Sequence, residues 1–356
     1  MRAQVQRGFT PDPQVSIEEV PRPVPAPDEV LIAVAACALN RLDLLQQDAP
    51  LVRGFSLPHI AGLDVVGTVV ETGSDVAAPP TVGDVVLVDP VSGCGECAAC
   101  RAGRGPYCRD VRSIGSTRDG GFAELVAVPA GSCHPVPAGL STVEAACLPV
   151  AYATAWHALV TAGRVRAGET VLVNAATSGV STALVQLATA QGARVIGTAG
   201  GPEKAARALE LGCSGVVDHR ASPDVAAEVL DLTDGRGVDL VIDHVGPALF
   251  EASIASMATE GRMVFCGTTT GNRVELDLPA VYHWGRTLIG SGGYRPSEFT
   301  DMLGFVADHG LRPVIDSVRP FDDIAAAQDR MRDGGFVGKL VVTFDDRAAD
   351  DGDVRP

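Results

Sequence analysis

Residues 170–190 read TVLVNAATSGVSTALVQLATA, and this stretch decides the fold. Thr170–Val173 is a short apolar run suited to a buried strand. Asn174 to Gly179 is a turn of small residues. Val180, Ala183, Leu184, Leu187 and Ala188 then recur at helical spacing and give the following helix one apolar face. Gly192 ends that helix, and Arg194–Ile196 supplies the next strand. The cycle returns at Gly215–Val217, Val238–Ile242 and Arg262–Phe265. Strands alternating with helices predict an α/β domain with a doubly wound parallel sheet.

In such a sheet the turn after the first strand holds a dinucleotide pyrophosphate at a helix N-terminus, where backbone N–H groups and the helix dipole attract the anion. Ala175, Ser178 and Gly179, followed by Val180, are the expected contacts, although glycines are commoner in these turns. The second strand runs on through Thr198 to Gly200 and Gly201 without the carboxylate that would bind the ribose of NAD. Lys204 and Arg207 follow, three residues apart on one helix face. Cations in place of a carboxylate favour NADPH over NADH. His219 and Arg220, after the third strand, are expected to flank the adenine. The strand-end loops around Gly267 and Gly292 are expected at the nicotinamide, since ligands gather at the carboxyl ends of parallel strands. His244 and His283 read as structural or surface histidines.

Upstream, the texture is β-rich, with segments at Val30–Ala36, Val65–Glu71 and Val85–Asp89 between turn residues. Ser141 and Glu144 resemble a capping box at the start of an Ala-rich helix, and a second helix opens at Pro149. Of nine cysteines, Cys94, Cys97, Cys100 and Cys108 stand as C-x2-C-x2-C-x7-C in a Gly- and Arg-rich loop. Four thiolates fill the tetrahedral shell of one zinc ion and leave no position for substrate, so this metal is structural. Cys37, Cys133, Cys147, Cys213 and Cys266 are scattered and read as packed thiols.

The chain has 356 residues, 46% of them hydrophobic, with 28 Lys and Arg against 44 Asp and Glu for a net charge of −16. That apolar content belongs to a folded chain with room for two domains. The charge opposes a nucleic-acid partner, which requires a basic footprint. The sequence has no apolar run long enough to span a membrane, and MRAQVQRGFTPDPQ lacks the apolar core of a secretory leader, so a cytoplasmic location is expected. Residues 345–356 are acidic and read as a frayed tail.

With these motifs placed, the sequence resembles the medium-chain dehydrogenase/reductase superfamily from about residue 15 to 344. The resemblance rests on Gly62-x-Asp64-x-x-Gly67, the Gly83-Asp84 turn, the cysteine loop, Thr154-Ala155-Trp156 and the strand–turn–helix at 170–190. It implies a GroES-like catalytic domain from 1–151 and 292–356, carrying the zinc lobe at 93–109, and a Rossmann domain from 152–291. It also implies a homodimer that pairs through the strand Thr287–Ile289.

Zinc alcohol dehydrogenases of this superfamily hold a second, catalytic zinc, whose ligand positions match Asn40, Leu63 and Val150 here. Leu and Val offer no donor atom, so the resemblance points to the quinone oxidoreductase-like and enoyl reductase branches, whose signature Asn40-Arg41-Leu42-Asp43 resembles. The implied reaction is hydride transfer from NADPH to an α,β-unsaturated carbonyl or a quinone. A tyrosine usual shortly after Asp43 is missing, with Leu44 and Leu45 in its place. By resemblance, Thr154 lies beside the nicotinamide and Asn40 donates to the substrate carbonyl. Tyr152 and His59 are the groups nearest to hand for proton delivery. The alternatives are a zinc-independent alcohol or ketone dehydrogenase, a superfamily member performing net non-redox chemistry such as cyclisation, and a regulatory NADPH-binding protein.

Overall fold

The computed structural model describes residues 1–344; the tail expected at 345–356 lies outside the described residues. The chain divides into two compact units, Met1–Val150 with Arg295–Pro356, and Ala151–Tyr294.

The second unit holds six parallel strands: β1 (Thr170–Val173), β2 (Arg194–Ala199), β3 (Gly215–Asp218), β4 (Val238–Asp243), β5 (Met257–Phe265) and β6 (Thr287–Gly290). Their order is β3-β2-β1-β4-β5-β6, so the chain reverses direction across the sheet between β1 and β4. Helix α1 (Gly179–Ala190) follows β1, and α2 (Pro202–Glu210) follows β2. The apolar face read from the sequence is buried, with Ala183, Leu184, Leu187 and Ala188 at 0% exposure. Strand β5 begins at Met257, earlier than its apolar run suggests, because the pairing with β4 shifts register between Val238 and Leu240 and admits the extra residues.

The first unit is built on a seven-stranded sheet. Its path runs Ile315–Pro320, Lys339–Thr343, Glu29–Ala38, Asp64–Thr72, Val85–Val88 and Cys133–Pro135, with Leu125–Pro129 also paired to Glu29–Ala38. Alternate residues Val30, Ile32 and Val34 pack with Val65, Val69, Val126, Leu340 and Val342 in one core. Gly67 is required there, because a Cβ would lie 2.1 Å from the Ala33 carbonyl oxygen of the neighbouring strand. The capping box at Ser141 forms: Ser141 Oγ accepts from the Glu144 N–H at 3.2 Å, and Glu144 returns the bond to the Ser141 N–H at 2.9 Å.

Candidate active site and metal centre

In the second unit, the turn joining β1 to α1 is assembled by side chains from three strands. Asn174 is 1% exposed. Its amide donates to Asp243 Oδ1 at 2.9 Å and to Ser253 Oγ at 2.8 Å, and its oxygen accepts from Thr198 Oγ1 at 3.3 Å. Thr198 Oγ1 accepts in turn from the Ala175 N–H at 3.0 Å. Ala175 takes φ 48, the left-handed backbone that glycine adopts without strain. Ser178 caps the helix by accepting from the Ser181 N–H at 3.2 Å. The N–H groups of Gly179 and Val180 are left facing outward at the positive end of the dipole.

Ala175, Ser178, Gly179 and Val180 are all half-buried and present this surface. Thr198 is 0% exposed, so it braces the turn from below and has no surface to offer a cofactor. His244 belongs to the same turn, which its sequence context did not reveal. Its Nε2 lies 2.7 Å from Ser181 Oγ and 3.2 Å from Ser178 Oγ. Ser181 Oγ spends its own proton on the Asn174 carbonyl at 2.8 Å, so the imidazole Nε2–H is the donor. Burial holds the His244 ring below its ordinary pKa and keeps it neutral. Gly267 lies against this histidine, where a Cβ would come within 2.9 Å of the His244 carbonyl oxygen. Gly292 is exposed with φ 70.

At the end of β2, the Arg220 guanidinium and the His219 imidazole converge over Gly200, and burial holds the His219 pKa below its ordinary value. A Cβ there would lie 2.9 Å from Arg220 Nε and 3.2 Å from His219 Nε2. Lys204 and Arg220 both act electrostatically on His219, whose Nδ1 is buried without a hydrogen-bond partner. The Asp218 carboxylate is engaged by the Gly201 N–H at 2.9 Å and the Arg220 N–H at 3.0 Å. These bonds hold its pKa below the usual carboxylate range. Arg207 departs from expectation. It pairs with Glu210 one helical turn on, at the exposed side of α2.

In the first unit a buried polar cluster surrounds Asp64, which is 0% exposed. Asp64 Oδ1 accepts from the Val150 N–H at 2.8 Å, while Oδ2 accepts from Asn40 Nδ2 and from Lys339 Nζ, each at 2.9 Å. Lys339 completes its donor set with the Leu39 carbonyl at 2.7 Å and Asn40 Oδ1 at 2.8 Å. The Asn40 amide is therefore held at both ends, and one N–H remains for any further acceptor. Asp43 accepts from the Asn40 N–H at 2.6 Å and the Gly62 N–H at 3.3 Å.

Burial, with the Asp64 carboxylate adding to it, pushes the Asp43 carboxyl up to about 7, against the pull of Lys339. Because the folded value stands above that of the unfolded chain, the associated stability is complete below about pH 4. It is lost as pH rises through about 7. The Asp43→Asn variant is expected to flatten this fall, which is on the order of 2–4 kcal/mol. Thermal midpoints at pH 5 and pH 8 check it; equal slopes in both proteins would remove Asp43 as the cause.

The two expected proton donors are otherwise engaged. His59 is 3% exposed, and its Nε2 donates to the Gly115 carbonyl at 3.0 Å beside the Phe55 ring. Burial lowers its pKa and leaves it neutral. Tyr152, in the second unit, is 2% exposed and donates its hydroxyl to Gln186 Oε1. Thr154 differs from both. It is half-buried among buried helical neighbours, and its hydroxyl has no hydrogen-bond partner among the described residues.

The cysteine lobe is closed at its base by a two-stranded ribbon, Val91–Ser92 with Arg112–Ser113. The sulfurs of Cys94, Cys97, Cys100 and Cys108 all lie within 4.8 Å of one another. Cys94 and Cys100 sulfurs are 4.0 Å apart, and those of Cys97 and Cys108 are 3.7 Å apart. Tetrahedral Zn–S bonds of about 2.3 Å require S···S edges of about 3.8 Å, so the donor set fits zinc. Backbone N–H groups of Cys94, Cys100 and Asp110 point at Cys108 Sγ, Cys97 Sγ and Cys108 Sγ respectively, at 3.3–3.5 Å, which favours thiolates. None of the nine cysteines is in a disulfide. Burial pushes Cys133, Cys213 and Cys266 up to about 12, as inert packed thiols require.

Comparison with known proteins places this architecture. The alcohol dehydrogenase GroES-like domain family matches residues 26–138, and the zinc-binding dehydrogenase family matches residues 179–308. The chain is 31% identical to an acryloyl-coenzyme A reductase of Sulfurisphaera tokodaii over 92% of its own length and 95% of that protein's. The chain belongs to the medium-chain dehydrogenase/reductase superfamily. The crystal structure of an NAD-dependent alcohol dehydrogenase superposes with a TM-score of 0.92 at 36% identity, covering 97% of this chain and 100% of that one. A crotonyl-CoA carboxylase/reductase superposes with a TM-score of 0.87 at 28% identity, covering 96% of this chain and 88% of that one. As a superfamily member the chain is an oxidoreductase, with a GroES-like unit and a Rossmann unit. No helix among the described residues is long and apolar enough to cross a membrane.

Proposed function

We propose that this medium-chain reductase uses NADPH to reduce the alkene of an α,β-unsaturated carbonyl compound, without a catalytic zinc. The observation that carries this is the donor set at Asn40, Leu63 and Val150. Two of these side chains cannot bind a metal, and the third is locked between Asp64 and Lys339. The names of the acryloyl-CoA and crotonyl-CoA relatives favour an enoyl thioester over a quinone.

The turn at Ala175 to Val180 would hold NADPH by its pyrophosphate; the bound cofactor would supply hydride to the substrate β-carbon, and the enolate so formed would take its proton at the α-carbon from solvent water. The outward N–H groups of Gly179 and Val180 receive the pyrophosphate. Arg220, His219 and Lys204 receive a 2′-phosphate, a dianion that matches guanidinium geometry. The Thr154 hydroxyl, which has no hydrogen-bond partner among the described residues, would orient the nicotinamide. His244 holds Ser178 and Ser181 in place as a positioning residue. The remaining N–H of Asn40 is the donor it offers to a substrate carbonyl. The cysteine lobe takes one structural zinc. A homodimer would form along the edge strand β6, next to the exposed Leu278, Tyr282 and Trp284.

Stopped-flow absorbance at the NADPH band tests the chemistry with crotonyl-CoA, a cyclic enone and a quinone, set against a primary alcohol with NADP+. Turnover of an activated alkene and none of the alcohol is expected; alcohol oxidation alone would refute the proposal. The Arg220→Ala variant is expected to raise KM for NADPH about 10- to 100-fold and to leave KM for NADH within about twofold. Equal effects on both cofactors would remove Arg220 from the phosphate site.

A further inference from the structure

The first unit carries a second, strongly cationic cavity of about 530 Å³ at the edge of the cysteine lobe. Its walls include Arg53, Arg109, Arg112 and Arg118, with Glu29 and Asp110 as the opposing charges. In a chain of net charge −16, four guanidinium groups around one cavity form a local reversal of sign. Arg118 is spoken for: it pairs with the buried Glu29 and fixes the cavity wall. Arg53, Arg109 and Arg112 are exposed and make no ion pair among the described residues.

The wall is shaped for close approach. Thr117 Oγ1 accepts from the Ser113 N–H at 2.8 Å and ties off the turn that carries Arg112 and Arg118. Gly54 faces Thr117, where a Cβ would lie 3.6 Å from Thr117 Cγ2, so the Arg53 loop sits against that same turn. The Arg118–Glu29 pair also borders a neighbouring cavity of about 700 Å³, lined mainly by apolar residues such as Val20, Pro23, Ile60 and Leu125, with Arg7 and Arg22 at its wall already paired to Glu18 and Glu71. A cationic cavity and a mainly apolar one thus share a wall. That combination suits a ligand with several phosphates joined to an uncharged body.

We propose that the chamber at Arg53, Arg109 and Arg112 binds the phosphorylated nucleotide end of a coenzyme A thioester substrate. This rests on the enoyl thioester reading of the function. The 3′-phosphate and the diphosphate supply the anionic oxygens for the three unpaired guanidiniums, and the adjoining apolar chamber accommodates an uncharged part of the same molecule. An arginine–phosphate contact is a charge-assisted pair, so loss of one weakens binding on the order of tenfold.

Two measurements separate this site from the reaction. Calorimetric titration with free coenzyme A reads the chamber whether or not the chain reduces any thioester. Binding is expected for the wild type, falling at least tenfold in Arg112→Ala and in Arg53→Ala, and weakening as salt is raised. Arg53 is remote in sequence from the cysteines, and the zinc content of Arg112→Ala, expected to equal that of the wild type, checks that its lobe is intact. Kinetically, the preference for crotonyl-CoA over crotonyl N-acetylcysteamine, as a ratio of kcat/KM, is expected to fall at least tenfold in each variant. Coenzyme A that fails to bind the wild type, or binds both variants with unchanged affinity, overturns the chamber. Coenzyme A that binds while neither thioester is reduced overturns the enoyl thioester reading and leaves the chamber standing.

Discussion

Replacing Lys339 with methionine is expected to destabilise the first unit by about 3–5 kcal/mol, the cost of leaving a buried charge unpaired. The ammonium lies at 4% exposure and donates to three oxygens, one of them on a carboxylate that is 0% exposed. A methionine fills similar volume but leaves Asp64 with only the Asn40 and Val150 N–H groups as donors. Below it the Asp43 carboxyl is already pushed up to about 7, so the site has little capacity for a second bare anion. At about 2–4 °C per kcal/mol for a unit of this size, the thermal midpoint falls by roughly 10 °C. Adding Asp64→Asn to Lys339→Met removes the stranded charge and is expected to recover part of the loss. Calorimetric melting of the three proteins checks both steps. A Lys339→Met midpoint within 2 °C of the wild type would show that the pair is compensated elsewhere.

The second large effect concerns the cysteine lobe. Between Gly93 and Tyr107 the chain buries only Gly105, so the lobe has no apolar core of its own. Its order must come from the metal, whose binding to such sites is worth on the order of 10 kcal/mol. One zinc per chain is expected by elemental analysis, and Cys100→Ala is expected to abolish it. The exposed Arg101, Arg104 and Arg109 then become the first points of tryptic cleavage, mapped by mass spectrometry. A metal-free chain that resists trypsin like the wild type would mean that the lobe is held by other contacts.

Much of this was legible in the sequence. The strands of the parallel sheet are apolar runs bounded by glycine and small residues, and β1 occupies the residues expected of it. The capping box at Ser141 and the clustering of four cysteines are likewise local in sequence, and local patterns are what a single chain displays. Partners far apart in the chain were not legible. His244 reads as an ordinary histidine until β4 brings it to Ser178 and Ser181. Arg207 stands at the right spacing to join Lys204, yet Glu210 is its near neighbour on the helix and takes it. His59 and Tyr152 were plausible proton donors by type, and only their burial and bonding show that each is already committed. Lys339 is the extreme case. In Gly338-Lys339-Leu340-Val341-Val342 it looks like a solvated lysine at a strand end, and nothing nearby announces a buried carboxylate some 275 residues upstream.

That separation bears on how the protein is made. The strand Lys339–Thr343 pairs antiparallel with Glu29–Ala38, so a strand made early in synthesis waits for a partner translated 300 residues later. At about 5–20 residues per second, the long-range pairing waits tens of seconds after the first strands emerge. Through that interval the nascent N-terminal half carries an open hydrogen-bonding edge and an Asp64 with no countercharge, while residues 151–294, whose strands are all internal to that segment, can fold at once. Truncation just before Lys339 therefore removes the strand that joins Ile315–Pro320 to Glu29–Ala38 and, with it, the buried cation that pairs with Asp64.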